Sequence, residues 1–105
     1  MNKILILFLL FPSWAIAADE EYTIQIQNHR FVPEQLIVPA NKKIKLLIEN
    51  KDATPEEFES YELNREKVIT GNGKTTIYIG PLSPGKYPYF GDFNQATANG
   101  FIIAK

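Results

Sequence analysis

Sulfur is nearly missing from this chain. Its 105 residues include no cysteine, one methionine and one tryptophan, and Met1 and Trp14 both lie in the first 17 positions. Without cysteine there is no disulfide staple and no thiolate to hold a soft metal. His29 is the single histidine, so a nucleophile paired with a base has little from which to assemble. Positive charge is not in excess, with a formal net charge of −1. That balance argues against nucleic acid as a partner, because phosphate binding needs a basic patch. No glycine-rich phosphate loop follows a strand and opens a helix. There is no internal repeat and no low-complexity segment.

What is present divides into two parts. "MNKILILFLLFPSWAIA" carries Lys3, then an apolar run from Ile4 to Phe11, and closes on Ala15-Ile16-Ala17. This pattern predicts a secretory signal peptide over residues 1–17, with an apolar run too short to span a bilayer. The expected mature chain, 18–105, is a single domain, not membrane-embedded and exported to the periplasm. Loss of Lys3 leaves ten basic against 12 acidic residues, a net charge of −2. A chain of this size buries roughly 60–65% of its unfolded surface, which suffices for one core.

The remainder reads as short strands joined by turns. "YTIQIQ" (22–27) alternates, with Tyr22, Ile24 and Ile26 on one face. Strands are also expected over 35–39, 42–50, 65–70, 75–80 and 100–105. Asn72-Gly73 is a hairpin-type dipeptide, since both residues tolerate positive φ. Pro84-Gly85 predicts a tight turn in which the glycine accepts positive φ. Tyr87, just beyond it, is placed to bond back to the upstream backbone as the tyrosine corner of a Greek-key sandwich. Lys42, Lys43 and Lys45 are expected to solvate a face or blunt a sheet edge, or to dock an acidic partner.

Phe31-Val32-Pro33, Ile37-Val38-Pro39-Ala40, Asn50-Lys51-Asp52 and the run Leu82 to Tyr87 stand in an order that resembles a cupredoxin domain over the whole mature chain. The resemblance implies an all-β Greek-key sandwich with a short helix or turn near residues 55–61. More narrowly, it resembles the cupredoxin-like domains of bacterial periplasmic iron-uptake systems: the EfeO-type domain and the small protein that accompanies high-affinity iron permeases. By that resemblance Glu56 stands at the first histidine ligand of a blue-copper site, Gly91 at the cysteine, Asn94 near the second histidine and Ala98 at the methionine. A type 1 copper site needs its thiolate, so blue-copper electron transfer is excluded here.

Two loops remain, 50–61 and 91–99, which such a sandwich brings to one end. They offer Asp52, Glu56, Glu57, Glu59, Asp92 and Asn94. If residues 57–60 are extended, Glu57 and Glu59 share a face while Phe58 turns inward. Carboxylates from two loops can hold iron, manganese or, with an imidazole or water, Cu(II). A competing reading makes Thr54 an N-cap, Pro55 the first helical residue and Glu57 the reciprocal cap, with Glu56 and Glu57 favourable at the helix dipole. The EfeO-type resemblance points to Glu57 and Glu59 as metal ligands, with Asp92 and Glu56 next and His29 a possible source of imidazole. The expected function is a periplasmic metal-handling protein of an iron-uptake system. It would bind, or help oxidise, Fe(II) and pass it to a permease or another periplasmic component, with iron or copper as the ion. The alternative is a metal-free interaction module that docks a transport component.

Overall fold

The computed structural model describes residues 20–105; the expected signal peptide lies outside them. Nine strands and one 3-10 turn follow in order: β1 (Glu20–Gln27), β2 (Arg30–Val32), β3 (Gln35–Val38), β4 (Ile44–Asn50), β5 (Glu56–Ser60), β6 (Arg65–Ile69), β7 (Lys74–Ile79), β8 (Gly85–Gly91), the turn Asp92–Asn94, and β9 (Asn99–Ala104). They form a four-stranded sheet, β2-β1-β4-β7, and a five-stranded sheet, β3-β9-β8-β5-β6. The β1/β4 and β3/β9 pairs are parallel, the others antiparallel. Among the described residues no helix is long and apolar enough to cross a membrane.

Alternation builds both sheets. Ile24 and Ile26 of β1, and Ile44, Leu46 and Ile48 of β4, are fully buried between the sheets. In the opposite sheet Phe58, Tyr89 and Ile102 face the same core. Phe31, Phe58 and Tyr89 form its aromatic centre. Tyr89 lies 4.9 Å from each of the other two rings, edge-on to Phe31 and tilted against Phe58, an arrangement that adds to area burial. The Tyr87 hydroxyl donates to Ser83 O at 2.8 Å, which is the expected tyrosine corner.

Four local expectations are corrected. Residues 56–60 are a strand, not a helix; the turn comes afterwards, with Asn64 N donating to Tyr61 O. β5 is held between β6 and β8, so Phe58 is buried in a sheet and the Thr54 cap has no helix to serve. The Asn72 turn exists, with φ 59° and Gly73 N donating to Thr70 O, but it makes no hairpin. β6 belongs to one sheet and β7 to the other, so this turn carries the chain across the sandwich. Gly80, not Gly85, has the positive φ, at 86°. The lysines blunt no edge either: β4 lies between β1 and β7, Lys45 pairs with Glu21 at 3.7 Å, and the Lys43 ammonium sits over the Tyr78 ring.

Candidate metal centre

The strand at 56–60 decides the site. Along β5, Glu56, Phe58 and Ser60 turn inward and are buried, while Glu57 and Glu59 stay half-buried on the outer face. Two chain segments position this strand. Asn50 is buried, and its side-chain amide donates to the carbonyls of Thr54, Ile69 and Thr70 while its Oδ1 accepts from Asp52 N. Ser60 Oγ closes the other end by donating to Pro88 O at 2.7 Å.

Glu59 pairs with Phe90 of β8, and the chain leaves β8 directly into Asp92. The outcome is a cluster in which Glu57, Glu59 and Asp92 each offer a carboxylate oxygen, all within 4.8 Å of one another. A fourth acid borders it: Glu66 of β6 stands opposite Glu59 in the ladder. Among the described residues no ion pair engages any of the four. The nearby Arg65 is committed elsewhere, its Nε donating to Tyr78 O. Asp92 Oδ1 accepts from the Gln95 side chain at 2.8 Å.

Uncompensated negative charge shifts these carboxyls away from their ordinary range. A hydrogen bond shared with Glu66 is the main cause that pushes the Glu57 carboxyl up to about 7; partial burial and the charges of Glu66, Glu59 and Asp92 add to it. Glu59 is also raised, first by burial and then by Glu66 and Asp92. Like charges held together favour the protonated form, and a bound cation would replace that proton.

The two remaining candidates fall outside the cluster. His29 has φ 58°, and its Nδ1 lies 3.6 Å from Asp52 Oδ2. The same Asp52 carboxylate accepts from the Asn28 and His29 amides, so both residues are occupied in a turn. Glu56 is 1% exposed and its carboxylate is spent on internal donors. Oε1 accepts from Phe93 N at 2.8 Å and Glu57 N at 2.9 Å, and Oε2 accepts from the Asn94 amide at 2.7 Å.

Glu56, Gly91, Asn94 and Ala98 do converge. Gly91 N donates to Ala98 O and Ala98 N to Asn94 O. A Cβ placed on Gly91 would lie 2.6 Å from the Glu56 carboxyl carbon and 2.7 Å from Ala98 Cβ. The Glu56 carboxyl therefore fills the space that a larger side chain at position 91 would take.

A family model described as a cupredoxin-like domain matches residues 2–104. The chain belongs to the cupredoxin-like domain family. A protein of Rickettsia prowazekii (strain Madrid E), itself uncharacterized, is 52% identical over 83 residues, or 79% of this chain; the chain spans 66% of that relative's length. Among solved structures, auracyanin A, a blue copper protein from Chloroflexus aurantiacus, superposes with a TM-score of 0.72 at 10% identity, over 84% of this chain and 100% of that one. A purple cupredoxin from Nitrosopumilus maritimus does so with a TM-score of 0.61 at 16% identity, over 79% and 98%. At such identities the likeness shows the cupredoxin fold alone.

This cupredoxin-like chain does not fit the copper its fold would suggest. The four converging positions supply a carboxylate already hydrogen-bonded three times, a glycine, an amide and a methyl group. None is a thiolate or imidazole. The carboxylate cluster lies beside this end, on the outer sheet face. Glu57, Glu59 and Asp92 were readable as candidates. Glu66 was not, because its approach depends on the β5/β6 register, which follows only once 56–60 is taken as a strand.

Proposed function

We propose that this cupredoxin-like protein binds a divalent cation at Glu57, Glu59 and Asp92, and that the physiological cargo is Fe(II). The observation that carries the reading is the convergence of three carboxylate oxygens within 4.8 Å, with no cation among the described residues paired to them. A set of oxygen donors suits hard and borderline ions such as Mn(II) and Fe(II) better than soft ones. Cu(II) favours imidazole, and His29 is held away by Asp52. The half-exposed position leaves room for water in the coordination shell and for release to a partner.

The chain offers no redox centre of its own, so binding and transfer describe its task better than catalysed oxidation. The signal-peptide pattern of residues 1–17 supports a periplasmic location. The resemblance to EfeO-type domains supports service in iron uptake, with delivery to a permease or another component of the same system.

One observation favours a second reading, docking of a protein. Val68 beside Glu57 and Phe93 beside Asp92 are about half exposed, at 50% and 49%, so the acids sit within an apolar rim. Anaerobic calorimetry of the purified protein with Fe(II) separates the two. Cation binding predicts one saturable site that the Glu57→Gln/Glu59→Gln double variant loses. Absence of binding by the intact protein would leave the docking module as the better account.

A further inference from the structure

Among the described residues, the buried Glu56 carboxylate is the only side chain that hydrogen-bonds both halves of the cluster's backbone. Its Oε1 accepts from Glu57 N at 2.9 Å and from Phe93 N at 2.8 Å. One of those amides belongs to a cluster residue on β5. The other directly follows Asp92, on a separate segment 37 positions along the chain. Oε2 accepts from the Asn94 side chain at 2.7 Å, which fixes the carboxylate's orientation.

We propose that Glu56 is a positioning residue for the cation site: it bolts the Asp92–Asn94 turn to the start of β5, and so sets the distance from Asp92 to Glu57 and Glu59. This inference rests on the cation-binding reading given above. Three features carry it. An ionised carboxylate offers acceptors only, and three donors converge on it. Gly91 supplies the space, since any Cβ there would meet the Glu56 carboxyl carbon at 2.6 Å. The turn has no other side-chain cap, for Gly91 at its N-cap offers none. Without the carboxylate, the Phe93 amide and the Asn94 side chain lose their partner, and Asp92 loses its fixed reach.

Residues that orient ligands without touching the metal commonly account for about 10- to 100-fold in affinity. The test uses the intact protein, Mn(II) alone as probe, and two variants of similar volume. Glu56→Gln keeps an oxygen for the two amides, and the Asn94 amide can turn its own oxygen to meet the new NH2. Glu56→Met fills the same space with no oxygen. The expected result is Mn(II) affinity within about threefold of wild type for Glu56→Gln and a loss of at least about tenfold for folded Glu56→Met.

Hydrogen exchange in the metal-free wild type supplies a readout that needs no variant. The Glu57 and Phe93 amides are expected to exchange slowly, and together. Unprotected exchange at both would overturn the proposal, as would wild-type affinity in folded Glu56→Met. If Glu56→Met does not fold, a tenfold loss in Glu56→Gln with its melting temperature unchanged would equally contradict it. Wild-type protein that binds no Mn(II) would instead defeat the cation reading itself and remove the site that Glu56 is said to position.

Discussion

Glu59 on β5 stands directly opposite Glu66 on β6, two acids paired on the outer face of one sheet. Like charges facing each other across a ladder are destabilising. Glu57 and Asp92 add to the same patch. A cation bound there removes the conflict, and the cluster's stability and chemistry are therefore linked to pH and to metal.

The pH dependence has a definite sign. Glu57 is raised from its ordinary 4.5 to about 7 in the folded protein, so the folded state holds a proton that the unfolded chain releases. Such a group contributes stability that is complete below about 4.5 and is lost as the pH rises through about 7. In low salt the metal-free protein is expected to melt at higher temperature as the pH falls through this window. Glu57→Gln should flatten the dependence. Thermal melts followed by circular dichroism check it, and a wild-type profile that falls with decreasing pH over the same range would reverse the sign.

Cation binding should displace the proton shared by Glu57 and Glu66. Affinity for Mn(II) is expected to rise between pH 6 and pH 8, about tenfold at most for a single displaced proton per pH unit. Calorimetry in buffers of different ionisation enthalpy measures the proton released. Chelation with EDTA should return the melting temperature to the metal-free value.

Gly91→Ala is expected to be poorly tolerated. The added methyl would approach the Glu56 carboxyl carbon at 2.6 Å and Ala98 Cβ at 2.7 Å, both in the buried interior. Overpacking of this kind costs roughly 1–3 kcal/mol, which chemical denaturation resolves. The same crowding means that a cysteine introduced at position 91 alone, with Glu56 still in place, should not create a blue copper site.

Tyr87→Phe removes the hydroxyl that donates to Ser83 O. The expected loss is about 0.5–1.5 kcal/mol, with no change in cation affinity, since the corner lies away from the cluster. A change in affinity without a change in stability would contradict that separation.

How much of this was legible beforehand depended on locality. Alternation in 22–27, the shared face of Ile44, Leu46 and Ile48 within the expected strand 42–50, and the Tyr87 corner depend on neighbours in sequence, and they read correctly, though the strand itself starts at Ile44. The segment 54–60 stayed open between an extended reading, which the strand bears out, and a helix start, which it does not. Thr54-Pro55-Glu56-Glu57 has the chemistry of a helix start, and only pairing with β6 and β8 overrides it. Glu57, Glu59 and Asp92 could be named because the resemblance brings their loops together. Glu66 could not, because its place depends on strand register. Glu56 was visible as a residue, but not as a buried anchor, because its donors come from Phe93 and Asn94. Asn72-Gly73 has a hairpin dipeptide's sequence, and its strands part into different sheets for reasons held in the distant β4 and β5 partners.

The most direct test of the central claim is location. Mn(II) titrated into the isotopically labelled, intact protein broadens the resonances of nearby amides. The account predicts that Glu57, Glu59, Glu66 and Asp92 broaden first and most, at substoichiometric metal, with His29 and Asp52 affected later and less. Broadening centred on His29 and Asp52, or spread evenly over the surface acids, would contradict it.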